Sequence, residues 1–435
     1  MDRRKVLGLG AAAGVAALIP GRAMAGADPV PALTNWTKLT LQLVRHTATY
    51  SPPVAARAFA YLGVTGYEAV AACDPSMTSL AGQVNGLAPL PAPGGDAYDT
   101  AAVLHAALSV AVAHFFANTG PSGQRALASM TRTMDAQVGA GLPADVAARS
   151  RDLGLAIAAH ITRWADADGG AVVENMGFAQ DYAVPDDPAA WVPTSLIRQQ
   201  QAPLLPDWGT VRPFAMPTGA TCGLPPPPAY SDAPDSPFYA EAMEVYTQTR
   251  ALTEEQALIA RFWTDDPMLS STPPGHWIFV ANDLIVRRKT TIAVGADIMA
   301  RLGMAMADAF IGCWHDKSKY NLLRPVTYIN RVIDPAWEPL LITPPFAEYP
   351  SGHSTVSGAA ATALTAALGD GYAYEDFTHE REGLKGRAYG SFWEAAMEAG
   401  ISRLYGGIHF RAAIDRGLEQ GRCIGAYTVA LRTLA

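Results

Sequence analysis

The sequence KSKYNLLRP at residues 317–325 is followed by PSGH at 350–353 and by SRLYGGIH at 402–409. Each segment brings a cation or a histidine together with small or helix-breaking residues, and none contains an acid to match its cations. Guanidinium groups grip pairs of oxygens, an ammonium adds a compact charge, and serine and glycine add short donors. One histidine can attack or ligate a central atom while another moves protons. The three segments therefore predict a site for a tetrahedral oxyanion.

Together the segments resemble the vanadium-dependent haloperoxidase and type 2 phosphatidic acid phosphatase superfamily, and its soluble bacterial haloperoxidase-like branch in particular. That pattern is Lys, six residues, Arg-Pro; then Pro-Ser-Gly-His; then Ser-Arg, five residues, His. All three parts occur here in order and with these spacings. They cover roughly the last third of the chain, and three ordered matches are far more specific than any one alone.

The resemblance implies a role for each cation and neutral donor of the pattern. Lys317, Arg324 and Arg403 would clamp the equatorial oxygens of vanadate, and Lys317 would also polarise bound peroxide. Ser351 and the backbone N–H of Gly352 would donate to the same oxygens.

The two histidines of the pattern would have different tasks. The resemblance implies that His409 is bonded to the central atom, which is vanadium in a haloperoxidase and phosphorus in a phosphatase. It implies that His353 is the general acid/base. Lys317, His353 and His409 are thus the predicted catalytic residues, and His409 is the predicted metal ligand.

Nearby residues favour the haloperoxidase over the phosphatase. Phe346 and Trp314 resemble aromatic residues of the chloroperoxidase branch and are predicted to wall the pocket. Soluble acid phosphatases carry Asp four residues after the nucleophilic His, whereas this chain has Ala413 there. What orients His409 is therefore left open. His276, at a predicted helix start, is a further candidate for the pocket wall, although a structural role is the more common one for such a residue.

The predicted function is a vanadate-dependent haloperoxidase that uses hydrogen peroxide to oxidise chloride or bromide to a hypohalous species. One alternative is an exported acid phosphatase with a phospho-histidine intermediate, in which a phosphate ester occupies the site and no cofactor is needed. Another is a non-catalytic oxyanion-binding protein. The expected partners are peroxide, halide and an organic acceptor, and a homodimer is compatible with the sequence.

The first 25 residues read as a secretory signal, with a basic head, an apolar middle and a small-x-small end at residues 23–25. The pair Arg3-Arg4 indicates the twin-arginine route, so a periplasmic or secreted location is expected. Removal of this segment, which carries a net charge of +3, would change the net charge from −8 to −11. A protein so acidic is not expected to bind nucleic acid. No later segment is predicted to span a membrane.

Helical periodicity and abundant Ala and Leu predict an all-α fold of two four-helix-type bundles with long irregular proline-rich connections. The expected regions are an N-terminal helical one at 26–168, a proline-rich one at 169–236 and a C-terminal helical one at 237–435. Helices are expected at 291–315, so that Lys317 lies just past a helix end, at 354–368 and at 387–404. The four cysteines, at scattered positions, predict no metal site and no particular disulfide pairing.

Overall fold

A computed structural model describes residues 26–94, 97–174, 182–195 and 201–434. Within these residues the helices are α1 (Val30–Arg45), α2 (Pro52–Ala71), α3 (Thr100–Phe115), α4 (Pro121–Gly139), α5 (Ala144–Asp166), α6 (Gly170–Val173), α7 (Pro237–Arg250), α8 (Glu254–Phe262), α9 (Thr272–Arg288), α10 (Ile292–Tyr320), α11 (Pro325–Val332), α12 (Gly352–Leu368), α13 (Phe392–Tyr405) and α14 (Arg411–Val429). Strands β1 (Tyr374–Asp376) and β2 (Arg387–Tyr389) form an antiparallel pair. The predicted all-α class is confirmed, and the predicted signal at 1–25 lies outside the described residues.

Helix α10, with 29 residues, runs through the centre of the molecule and packs on α2 on one side and on α12 and α14 on the other. Glycines allow the backbones of α2 and α10 to approach each other closely. A Cβ atom on Gly63 would lie 2.6 Å from the carbonyl oxygen of Met299, and one on Gly303 would lie 2.9 Å from Cα of Ala60. Because α10 packs against other helices on both sides, its C-terminal end, where the first motif segment begins at Lys317, is firmly positioned.

Helices α12 and α14 form the second close pair. A Cβ atom on Gly421 would lie 2.2 Å from the carbonyl oxygen of Thr355, and one on Gly425 would lie 2.9 Å from that of Ala359. This tight packing of small residues fixes the N-terminal end of α12 relative to the segment that precedes α14. The PSGH segment, which opens α12, and the SRLYGGIH segment, which precedes α14, are positioned in this way.

The proline-rich region packs across α10 where it is described. Trp191 and Trp208 are buried, and both carboxylate oxygens of Asp308 on α10 accept hydrogen bonds from the backbone of residues 214–216. A disulfide joins Cys222 in this region to Cys423 on α14. Side-chain acceptors and a covalent link replace the backbone hydrogen bonds that proline cannot make.

Three boundaries differ from the sequence-based expectations. Helix α10 continues past His315 to Tyr320, so Lys317 lies inside its last turn. Helix α12 begins at Gly352 rather than at residue 354, because Ser351 caps it. The helix expected from residue 387 begins at Phe392, because residues 387–389 pair with β1 and the Ser391 hydroxyl accepts the N–H of Glu394. No helix in the described ranges is both long and apolar enough to cross a bilayer.

Candidate functional site

Five structural elements deliver the predicted residues to one place. Lys317 lies in the last turn of α10, Arg324 is the residue before α11, and the PSGH segment opens α12. Arg403 lies near the end of α13, and His409 follows it in the short connection to α14. The site is thus built from helix ends, where the chain turns and side chains can converge.

A cavity of about 400 Å³ lies over this convergence. Its lining includes Leu204, Phe310, Trp314, Phe346, His353 and His409. Aromatic and apolar walls with two imidazoles at the base are suited to a small anionic guest, because they exclude water and strengthen each charge contact.

His409 is buried and has a carboxylate partner that the sequence-based interpretation missed. Its Nδ1 lies 2.8 Å from Oε1 of Glu348, and its Nε2 lies 3.0 Å from Nη1 of Arg324. Burial, followed by the charges of Arg324 and Lys317, holds the pKa of His409 well below its usual value. Because a guanidinium can only donate, Nε2 carries the lone pair, which here accepts from Arg324, and the ring proton lies on Nδ1 facing Glu348. This is the tautomer needed for a ligand or a nucleophile.

Glu348 is fully buried, and its Oε1 also accepts the N–H of Phe410 at 2.8 Å. Burial raises the pKa of this carboxyl to about 8, against the opposing charge of Arg324. The signal for it in the sequence was an acid among apolar and aromatic residues, five positions before His353. Nothing in the sequence pairs that acid with a histidine 61 residues later, so only the tertiary structure identifies it.

Arg324 is fully buried and is anchored by backbone carbonyls. Its Nε donates to the carbonyl of Phe346 at 2.8 Å, and its Nη1 donates to that of Ile408 at 2.9 Å. Its Nη2 is buried without any hydrogen-bond partner within the described structure. Burial lowers the pKa of Arg324 to about 10. Buried donors without an acceptor are rare in proteins, so this N–H group is suited to donate to a bound anion.

Arg403 is anchored by a different set of acceptors. Its Nη2 donates to the carbonyl of Trp263 at 2.5 Å, and its Nε donates to the hydroxyl of Ser402 at 3.0 Å. Burial lowers the pKa of Arg403 to about 10, and Asp266, at the cavity wall, is the largest opposing charge. The guanidinium is thereby fixed at the site by neutral acceptors.

Lys317 is placed differently from the simple clamp expected. Its Nζ donates to the backbone carbonyls of Ala347, Glu348 and Pro350 at 2.7, 3.0 and 2.6 Å. These bonds use all three donors of the ammonium. Burial lowers the pKa of Lys317 to about 7. In this arrangement Lys317 fixes the segment before the PSGH motif and adds positive charge next to that motif.

The start of α12 supplies neutral donors. The Ser351 hydroxyl accepts from the N–H and the hydroxyl of Ser354 at 3.3 and 3.0 Å, which leaves its own proton for another acceptor. Gly352 lines the cavity and lies in the first turn of the helix. N–H groups of a first turn have no acceptor within the helix, and the positive end of the helix dipole favours an anion.

His353 lines the cavity beside His409, and its Nε2 is buried without a partner among the described residues. Burial, followed by the charge of Arg403, keeps the pKa of His353 well below its usual value. A neutral imidazole with a free nitrogen at a cavity wall can accept a proton from a bound reactant.

The predicted pocket walls fall in two places. The rings of Trp314 and Phe346 line the cavity with centroids 4.9 Å apart, and Phe346 also lies 5.1 Å from Nζ of Lys317. His276 does not line this cavity. It lies behind the wall, hydrogen-bonded between Asp265 and Asp376.

Comparisons with known proteins identify relatives of the chain. Residues 297–433 match the family model described as the VCPO second helical-bundle domain. A bacterial vanadium-dependent iodoperoxidase is similar in structure with a TM-score of 0.84 and 36% identity, over 94% of this chain and 98% of that one. The holo form of a bacterial vanadium-dependent chloroperoxidase has a TM-score of 0.67 and 16% identity, over 88% of this chain and 94% of that one.

The chloroperoxidase likeness shows the fold alone, whereas the 36% identity covers nearly the whole of both chains. None of the curated proteins compared with the chain is significantly similar to it. The resemblance found in the three segments is thereby confirmed. A helical fold, a matching family model and this degree of identity over nearly the full length together show that the chain belongs to the vanadium-dependent haloperoxidase family.

Proposed function

We propose that the protein binds vanadate at Arg324, Ser351, Gly352, Arg403 and His409 and uses hydrogen peroxide to oxidise a halide. Lys317, whose ammonium donates to three backbone carbonyls, would add positive charge to this site without a direct bond to the anion. Overall, one halide, one peroxide and one proton would give a hypohalous acid and water. Family membership supports the reaction type, and the chemistry of the donor set supports the cofactor.

The observation that carries the cofactor assignment is buried positive charge that no carboxylate contacts directly, since Glu348 and Asp266 act on these cations only from a distance. Lys317, Arg324 and Arg403 are 3%, 0% and 2% exposed, and within the described residues none forms an ion pair with a carboxylate. Burying charges without compensation is costly. A bound oxyanion would supply the compensation and would also accept from the unpartnered Nη2 of Arg324. The residues present therefore fit vanadate.

Each protein residue of the site would have a distinct role. Nε2 of His409, held in place by Glu348, would ligate vanadium, and Arg324 and Arg403 would neutralise the oxygens. Bound vanadate supplies a Lewis-acidic centre that activates peroxide towards attack by halide. Nε2 of His353 would take a proton from the incoming peroxide and return it to the leaving oxygen. Trp314 and Phe346 would keep bulk water away.

We propose iodide as the halide that is oxidised fastest. The relative with 36% identity is an iodoperoxidase, and this supports iodide over the chloride or bromide expected from Phe346 and Trp314. Chloride and bromide activity remain predictions, and one preparation assayed with all three halides ranks them.

The deciding experiment reconstitutes purified protein with vanadate and measures peroxide-dependent halogenation of a phenolic dye. We expect turnover only with vanadate, peroxide and halide together. Absence of turnover with all three halides, in protein shown to bind vanadate, would overturn the proposal. Release of phosphate from a phosphate ester is measured on the same sample.

The absence of an acid at position 413 does not argue against a phosphatase, because Glu348 can orient His409 in its place. The similarity to a vanadium-dependent iodoperoxidase favours halide oxidation over phosphate-ester hydrolysis.

We also propose that the protein is exported after removal of residues 1–25. The disulfide between Cys222 and Cys423 supports an oxidising compartment. The mass of protein from a periplasmic or culture fraction tests this, and a mass that still includes residues 1–25 contradicts it.

A further inference from the structure

A second cluster of chemically capable side chains lies buried beside the cavity. Asp265, at the cavity wall, is 3% exposed, and His276 and His379 are 1% and 6% exposed. One potential ligand atom from each residue lies within 4.8 Å of the other two. We propose that Asp265, His276 and His379 bind one divalent transition-metal ion of the zinc type, at a site distinct from the oxyanion site.

The two oxygens of Asp265 face the two imidazoles. Oδ2 lies 2.9 Å from Nδ1 of His276, and Oδ1 lies 3.1 Å from Nε2 of His379. Two imidazoles with one carboxylate form a known type of zinc site that keeps a further position open. Ligand atoms on a tetrahedral zinc ion with bonds of about 2.0–2.1 Å are roughly 3.4 Å apart. The two carboxylate–imidazole separations are a few tenths of an ångström shorter than this value and involve different oxygens of Asp265, and the three ligand atoms lie within 4.8 Å of one another. Side-chain shifts would therefore be needed to complete the site.

The surroundings of His276 are those of a metal ligand. Its other nitrogen, Nε2, lies 2.6 Å from Oδ2 of Asp376, and Oδ1 of Asp376 is held by the N–H and the hydroxyl of Thr378 at 2.9 and 2.6 Å. Metal-binding histidines nearly always donate their second N–H to a carboxylate or carbonyl, which fixes the tautomer. Here the anchored carboxylate would keep the proton on Nε2 and leave the lone pair of Nδ1 for the cation.

Aromatic rings enclose the two imidazoles. Trp263 stacks on His276 with centroids 4.3 Å apart, and Phe262 contacts His276 and His379 edge-on at 5.5 and 5.2 Å. These contacts restrict the rotamers of both ligands and exclude water. A preorganised and dry site of this kind strengthens ion binding.

The charges of the cluster also favour a divalent ion. Asp265 and Asp376 are both buried, and protons alone would compensate both carboxylates only if His276 and His379 were both charged. A divalent cation with two neutral imidazoles compensates both as well. Since uncompensated buried charge is costly, a divalent ion suits this cluster.

A metal ion here would join three separate segments. Asp265 follows α8, His276 lies near the start of α9, and His379 follows β1. Two residues before Asp265 is Trp263, whose carbonyl holds Nη2 of Arg403. The ion would therefore stabilise the cavity wall and the support of Arg403 without touching the oxyanion.

The test is elemental analysis of full-length protein purified without a polyhistidine tag, as isolated and after incubation with Zn²⁺ followed by desalting. We expect about one equivalent of a divalent transition metal per chain, and less than about a tenth of an equivalent in His379→Ala and Asp265→Asn. His114→Gln is the matched control, because it removes an imidazole bonded to an aspartate elsewhere on the molecule. It should keep the full equivalent.

Thermal unfolding of the wild-type protein gives a second readout that does not depend on the variants folding. Stripping with a strong zinc chelator should lower Tm by several degrees, and Zn²⁺ but not Mg²⁺ should restore it. Absence of metal before and after Zn²⁺ incubation, with Tm unchanged, overturns the proposal. So does metal retained equally by His379→Ala and Asp265→Asn. These readouts do not involve halide oxidation, so failure here and failure of the proposed function are distinguishable.

Discussion

Nδ1 of His409 lies 2.8 Å from Oε1 of Glu348, in a region where both side chains are buried. The same oxygen accepts the backbone N–H of Phe410, so Glu348 is tied to the chain immediately after the histidine that it orients. The pair fixes both the tautomer and the direction of the ring. In other metal sites, an orienting carboxylate of this kind raises the basicity of the ligand.

Replacing Glu348 with Ala should weaken vanadate binding by roughly 10–100-fold, because the orientation of His409 is lost. Glu348→Gln keeps an acceptor for Nδ1 and should lose less. Titration calorimetry with vanadate measures both, with the exposed Glu338→Ala as the control. Affinity that is unchanged in Glu348→Ala would show that another group orients the imidazole.

Glu348 should also impose a pH dependence on stability. Burial raises its folded pKa from 4.5 to about 8, so the folded state binds its proton more tightly than the unfolded state does. The contribution of this group is therefore fully present below the unfolded pKa and is lost as pH rises towards the folded one. Relative to Glu348→Gln, the free energy of unfolding of the wild type should fall between pH 5 and 8, by at most about 1.4 kcal/mol per pH unit. Denaturant titrations at each pH measure this, and parallel curves would contradict it.

Variants of His353 and His409 should separate vanadate binding from catalytic turnover. His353→Ala should still bind vanadate but lose roughly 10²–10⁴-fold in kcat, because it removes the proton acceptor. His409→Ala should lose vanadate binding itself. Vanadium content and halogenation rate, measured on the same preparations, give the comparison. Loss of vanadium in His353→Ala to the same extent as in His409→Ala would refute the division of roles.

Binding of an oxyanion should stabilise the fold through Arg324. Vanadate at 100 times its Kd should add about 2.7 kcal/mol to the free energy of unfolding. Arg324→Lys keeps the charge but loses the planar fork, so it should show a much smaller increase in Tm on adding vanadate. Arg125→Lys, on the exposed face of α4, is the control. An equal Tm increase in Arg324→Lys and in wild type would rule out a direct role for the fork.

The disulfide should contribute to the stability of the C-terminal bundle. Cys222 and Cys423 are 201 positions apart, so their link removes a large loop-closure entropy from the unfolded chain. Replacing both with Ser should cost roughly 2–5 kcal/mol and lower Tm. Cys73→Ser, which removes an unpaired thiol, should have little effect. A double variant with the Tm of wild type would mean that the link adds no net stability.

Local sequence was sufficient for the helical class and for the family, because helical periodicity and motif spacing can be read along the chain. Local sequence did not predict the structure where contacts between distant segments decide it. Residues 387–389 have a helical pattern but pair with β1, because tertiary pairing outweighs weak local propensity. His379 follows Glu375 and Asp376 in a charged stretch that gives no local sign of burial, yet it is buried against Asp265.

The amino-acid sequence by itself determined the helical class and the family, and it predicts that Lys317, Arg324, Arg403, His353 and His409 form one oxyanion site, because their types and spacings suit that chemistry. Only the tertiary structure decided which groups support them. Glu348 orients His409, backbone carbonyls take the ammonium of Lys317, and Asp265 joins His276 to His379. Such pairings link residues far apart in the chain, and their energies depend on burial and direction, which no linear pattern records.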